Sequence, residues 1–182
     1  MKKQLIAAAA AITGLTLAVA PTVDAKGKPG DANIVQIASA VNAESGEFST
    51  LLAAATCDYF EGAIAGALTG DDKLTLFAPT DAAFGKLGLD ASTVCGAFDA
   101  DPAALANILT YHVTDGRRFS NSVFNANNSK SISMLNGGTV VSNPDLTFTD
   151  ENGREIGVVD GLVNINASNG VIHVIDTVLL PG

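Results

Sequence analysis

His112 and His173 are the two histidines of the chain, and each sits beside groups that could work with it. His112 follows Tyr111 in the string ILTYHV, and His173 stands three residues before Asp176 in VIHVID. Thr80 and Asp81, in FAPTDAAF, add a hydroxyl and a second carboxylate. Brought together, such groups could relay a proton or hold a metal ion. Both histidines lie among Val and Ile on strand-like segments, where an imidazole is more often neutral and hydrogen-bonded to backbone or carboxylate. Thr80 and Asp81 also have a structural use. A short side-chain oxygen there accepts from the free N–H groups of a helix that starts at once, and either residue could pair with one of the histidines.

Other chemistry finds little support. There is no G-x-S-x-G elbow, no H-E-x-x-H and no glycine-rich phosphate loop after a strand. Asp150-Glu151-Asn152-Gly153 lacks the alternating ligands and distant glutamate of a calcium loop and reads as a hairpin tip. The expectation is a chain without catalytic residues, metal or cofactor. Cys57 and Cys95 are the only cysteines. An even count in an exported chain is most simply one disulfide, worth roughly 4 kcal/mol by restricting the unfolded chain. Two buried thiols or a metal pair are the alternatives, and no cluster of zinc ligands accompanies them.

Export follows from the start of the chain. Met1-Lys2-Lys3, the apolar run Leu5–Ala20 and the small-residue site Val23-Asp24-Ala25 predict a signal peptide over 1–25 of bacterial type. A polar tail over 26–31 and one domain over 32–182 complete the expected division. The apolar run is short for a membrane span, so no transmembrane segment is expected in the mature chain. Removing Lys2, Lys3 and Asp24 from 10 basic and 19 acidic residues leaves a net charge of about −10, which argues against nucleic acid and anionic lipid as partners.

The elements that must position these residues fall in two groups. Apolar spacing predicts helices beginning with an Asp31 cap, then from Phe48 to Leu68 with a joint at Cys57-Asp58, around Ala91–Phe98, and after an Asp99 or Asp101 cap with Pro102 in the first turn. An early strand, Leu74–Ala78, stops at Pro79. After Arg118 short strands follow: Ser131–Leu135, Thr139–Ser142, Leu146–Thr149, Glu155–Val159 and Leu162–Ile165. Asn152-Gly153 marks the clearest hairpin. The last strand, Val171–Leu180, is apolar at nearly every position, which places it inside the sheet with both faces covered. Helices first and strands afterwards make an α+β domain.

Three strings, in order, carry a family resemblance. TLFAPTDAAF at Thr75–Phe84 resembles the first signature of the fasciclin (FAS1) domain, Tyr111-His112 its central Tyr-His element, and NGVIHVIDTVLLP at Asn169–Pro181 its second signature. The resemblance implies a wedge of N-terminal helices packed on a β-sandwich of short strands. It also implies a secreted, non-enzymatic role in adhesion or matrix contact, with a cell-surface or matrix protein or polymer as partner. Within such a family, binding interest falls on Tyr111, His112, Ile175 and Asp176. The polar stretch Asn121–Lys130, around Val123 and Phe124, is the candidate variable contact loop. A second possibility is a carrier for an apolar, carotenoid-like small molecule in a groove between helices and sheet.

Overall fold

Leu74–Pro79 forms strand β1, and every one of its six residues is buried. It lies parallel to the final strand, β8 (Gly170–Ile175), which is buried throughout as well. The pair runs in register from Leu74 opposite Gly170 to Pro79 opposite Ile175. Parallel strands need a long crossover and cover on both sides, and the intervening chain supplies both. β2 (Val113–Asp115) pairs with the other edge of β1, and β7 (Ile165–Ala167) with the other edge of β8, giving the order β2-β1-β8-β7. A second sheet of β3 (Lys130–Ser133), β4 (Thr139–Ser142), β5 (Thr147–Thr149) and β6 (Glu155–Gly157) is a simple antiparallel meander. These positions come from a computed structural model that describes residues 31–182; the expected signal peptide and all but the last residue of the expected tail lie outside the described residues.

Side-chain alternation along the parallel pair assigns each face to its cover. Leu74, Leu76, Ala78, Ile172 and Val174 belong to a core shared with the helices. Phe77 and Ile175 belong to a second core shared with the meander, where Phe77 meets Phe148 edge-on at 4.8 Å. The architecture is α+β: helices, first sheet and second sheet stack in that order.

The helical cover comprises α1 (Ile34–Ser45), α2 (Ser49–Ala55), α3 (Ala63–Thr69), α4 (Asp81–Gly85), α5 (Val94–Ala97) and α6 (Pro102–Thr110). Asp101 caps α6 by accepting from the Ala104 N–H, with Pro102 in the first turn where its missing donor costs nothing. A disulfide joins Cys57, just after α2, to Cys95 in α5. Among the described residues no helix is long and apolar enough to cross a membrane.

Several expected boundaries move. α1 is capped by Asn33 rather than Asp31, because Asn33 and Gln36 exchange side-chain and backbone hydrogen bonds in a capping box. The stretch from Phe48 to Leu68 breaks into α2, a 3-10 turn at Asp58–Phe60 and α3. Leu162–Ile165 is mostly loop, and the strand there is Ile165–Ala167, set by its antiparallel pairing with β8. β8 ends at Ile175 instead of Leu180, as Asp176 turns to exchange hydrogen bonds with Gly157. The Asn121–Lys130 stretch begins inside a short helix, α7 (Ser120–Val123).

Gly170 is where β8 comes closest to its neighbours. A Cβ on it would lie 2.3 Å from the Leu74 carbonyl oxygen and 2.6 Å from Ile34 Cδ1. The oxygen belongs to paired backbone and has no room to retreat. Gly170→Ala should destabilise the protein by roughly 2–3 kcal/mol, seen as a lower urea midpoint at unchanged slope. A midpoint equal to wild type would show that the β1–β8 pair tolerates separation at its start.

Candidate functional site

The residues that could have done chemistry are found at junctions between backbone segments, and each is already occupied. His112 follows α6, and burial leaves it 1 % exposed. Its Nδ1–H donates to the Ile108 carbonyl at 2.7 Å, and its Nε2 accepts from the Leu179 N–H at 3.0 Å. One donor and one acceptor fit the neutral imidazole. His173 makes the same use of the opposite tautomer. Its Nε2–H donates to the Arg118 carbonyl at 2.8 Å, and Nδ1 faces the Asn164 N–H at 3.5 Å. The ring stacks on Phe77, its register partner in β1.

Thr80 caps α4 by accepting from the Ala83 N–H at 3.2 Å. Asp81 reaches further. Its two carboxylate oxygens accept from the Ser49 and Thr50 N–H groups at 3.2 and 2.7 Å, so it caps the start of α2 across 31 residues of sequence. The expected pairing of Thr80 or Asp81 with a histidine is therefore corrected: both residues accept from orphan amides at helix starts, and the histidine nitrogens face other backbone groups. Asp176 accepts from the Gly157 N–H at 3.0 Å and from the Thr177 hydroxyl. Its ion pair with Lys86 spans 3.9 Å between half-exposed side chains, which contributes little.

The candidate binding residues need a similar correction. Tyr111, His112, Val123, Phe124 and Ile175 are all buried, and Asp176 alone is exposed. The Tyr111 hydroxyl donates to the Thr139 carbonyl at 2.7 Å and accepts from the Glu151 N–H, while burial pushes its pKa up to about 12. Val123 and Phe124 are anchors of the second core. The Ser142 hydroxyl donates to the Val123 carbonyl at 2.7 Å, and Phe124 packs on Phe148 at 4.9 Å. Apolar side chains in a polar stretch mark where the loop is pinned, so the exposed surface is left to Asn121, Ser122 and Ala126–Ser129.

Two junction residues escape sequence reasoning. Asn169, 4 % exposed, accepts from the Ile34 N–H at 2.9 Å and donates to the Leu68 and Gly70 carbonyls at 2.8 and 3.0 Å. Asp150, at the hairpin tip, takes Arg154 through both Nε and Nη2, at 2.9 and 2.6 Å. The Asn-Gly pair before an apolar strand was the one available signal for the first. Nothing local signals the second. Among the described residues no three His, Cys, Asp or Glu side chains cluster to hold a metal.

Burial holds the His112 pKa down at about 4, against an ordinary value of 6.5, and the positive charge of Arg154 acts in the same direction. A proton on Nε2 would also point at the Leu179 N–H. Burial lowers the His173 pKa too. Above about pH 6.5 both folded and unfolded imidazoles are neutral and this stabilisation is complete. Between pH 6.5 and about 4 only the unfolded chain takes up the proton, so stability falls as pH falls. His112 should contribute about 3 kcal/mol of loss between pH 7 and pH 4. Urea unfolding of wild type and His112→Gln at the two pH values should show a smaller loss for the variant. Equal losses would remove His112 as the cause.

Comparison with known proteins finds a family and relatives for the chain. The fasciclin domain pattern matches residues 46–181. An uncharacterized protein of Synechocystis sp., sll1735, is 34 % identical over 150 residues, covering 82 % of this chain and 98 % of its own. Protein sll1483 of the same organism is 37 % identical over 139 residues, covering 74 % of this chain and 67 % of its own. The solved FAS1 domain pair from the insect cell adhesion molecule fasciclin I aligns with a TM-score of 0.41 at 21 % identity, over 59 % of this chain and 36 % of that one. With the pattern spanning all three signature strings and both relatives matched over most of the chain, this protein belongs to the fasciclin domain family.

Proposed function

We propose that the protein is an exported adhesion module that contacts a cell-surface or matrix protein or polymer through exposed loops, without catalysis. Fasciclin domains are generally adhesion-type modules and typically non-enzymatic and extracellular. One observation carries the proposal for this chain. Both histidines are buried and hydrogen-bonded to backbone, while a polar loop is held out from the core by two apolar anchors. A loop pinned in this way presents side chains without first having to order itself, which lowers the entropy cost of contact.

Within the loop, Asn125 accepts from the Asn127 N–H at 2.9 Å and Lys130 donates to the Ser122 carbonyl at 2.9 Å, so its backbone is internally braced. The exposed amides of Asn121, Asn127 and Asn128 supply donors and acceptors without charge, suited to a polar polymer or glycan-like surface. The carotenoid-like carrier is less well supported by the molecule as it stands. The space between helices and first sheet is about 60 Å³, far below what such a molecule needs.

Two measurements test the proposal. Purified protein should bind intact cells of its source organism saturably, and Asn121→Ala with Asn127→Ala and Asn128→Ala should weaken binding at least tenfold without changing Tm. Unchanged binding in that variant would overturn the loop as contact, and no saturable binding by wild type would overturn adhesion. Mass spectrometry of the exported protein should find Lys26 at its start; a product that keeps residues 1–25 would overturn the proposed signal peptide.

A further inference from the structure

Charge is unevenly shared between the layers. Residues 31–110, which form the helical cover and β1, hold eleven acidic residues against Lys73 and Lys86, whereas residues 111–182 hold seven against four basic ones. Some of the eleven are committed to backbone. Asp81 and Asp101 cap helices, and Asp90 accepts from the Ser92 and Thr93 N–H groups. Asp58 and Asp99 are exposed, and neither carboxylate has a hydrogen bond or ion pair among the described residues.

Both line one pocket of about 270 Å³, open to solvent, together with Thr56, Tyr59 and the Cys57–Cys95 disulfide. Asp58 and Tyr59 stand on the 3-10 turn that follows Cys57, and Asp99 lies just after α5. The disulfide ties these two sides together, so their spacing is set before anything binds. The polar side-chain atoms that remain uncommitted are acceptors. The Thr56 hydroxyl donates to the Leu52 carbonyl at 2.8 Å and the Tyr59 hydroxyl to the Cys95 carbonyl at 3.4 Å, which leaves both oxygens with lone pairs only. Burial, and then the charge of Asp99, holds the Tyr59 pKa above its ordinary value, so the hydroxyl keeps its proton. No cationic side chain lines the pocket.

We propose that this pocket is the docking point for a lysine or arginine side chain on a basic protein partner. The ammonium or guanidinium brings donors to two carboxylates that have none, and the aromatic ring in the wall favours an organic cation. A metal ion suits the pocket less well, since among the described residues no three His, Cys, Asp or Glu side chains cluster to hold one. The acidic helical half attracts such a partner from a distance, and the pocket fixes where it seats. Helices and second sheet lie on opposite sides of the first sheet, so this contact is separate from the asparagine loop and neither proposal depends on the other.

The test uses the mature chain and a fluorescein-labelled hexalysine peptide, followed by fluorescence anisotropy at about 50 mM and about 500 mM NaCl. Saturable binding of one peptide per chain is expected at the lower salt, and weaker binding at the higher. Asp58→Asn with Asp99→Asn should weaken binding at least about tenfold at unchanged Tm, because these carboxylates hold nothing in the folded chain. Asp71→Asn with Asp72→Asn, between α3 and β1 and outside the pocket, removes the same charge from the same half and should weaken it less than about threefold. Absence of saturable binding would overturn the site. Equal weakening by the two pairs would overturn the pocket in favour of a diffuse acidic surface. Displacement of the peptide by calcium chloride, where sodium chloride of equal ionic strength has no effect, would overturn the assignment and give the carboxylates to a metal ion.

Discussion

The parallel pairing of β1 with β8 is the constraint on which the rest depends. Its two strands lie 90 residues apart in sequence or more, and all twelve of their residues are buried. Buried backbone must be paired and buried faces must be covered, so each neighbouring element answers one of those needs. β2 and β7 satisfy the outer edges, the helices cover one face and the meander covers the other. The close contact of Gly170 with the Leu74 carbonyl explains why glycine stands at the entry to β8, where any Cβ would hold the strands apart.

Such a layered arrangement leaves many chain ends buried, and the polar residues of the signatures serve them. Asp81 supplies acceptors to the start of α2, Asn169 to the start of α1, and the same Asn169 donates to the end of α3. His112 links the end of α6 to the segment after β8, and His173 links β8 to the chain leaving β2. An imidazole suits these positions because its neutral form offers one donor and one acceptor on opposite sides of a flat ring. Removing such a group would leave two backbone groups unpaired, at about 1–3 kcal/mol each. The signatures thus read as a set of junctions rather than as a site.

Much of this was legible wherever one local rule acts alone. Pro79 ends β1, Thr80 caps α4, Asp101 caps α6 and Gly153 makes the hairpin turn at φ 73°. The even cysteine count led to the disulfide that the structure forms. Errors arose where a distant partner decides. Asp81 looked like a local cap, yet its carboxylate bonds residues 31 and 32 positions earlier. The strand at Ile165–Ala167 is placed by β8 and not by its own apolar pattern, which favoured residues just before it. Val123 and Phe124 looked like contact residues because the stretch around them is polar, and burial against Phe148 is a fact of the third dimension.

A scaffold built in this way separates stability from recognition. Its titratable signature residues are committed to backbone, so on the proposed reading a change of partner requires changes only in the exposed loops. Charge then limits the choice of partner. Of the described cations, Arg154 is paired with Asp150 and Lys86 with Asp176, leaving Lys73, Arg117, Arg118 and Lys130 against a strongly acidic whole. Long-range attraction therefore favours cationic surfaces, and on the proposed reading short-range hydrogen bonding from the asparagine loop supplies the specificity that net charge does not. An anionic matrix would have to be met locally, within about a Debye length of 8–10 Å, and only where acidic side chains are absent. The Asn121–Ser129 stretch carries no acidic residue of its own, and Asp145, two residues beyond the Asn143 that bonds Ser129, is the acidic side chain such a matrix would have to avoid at that end.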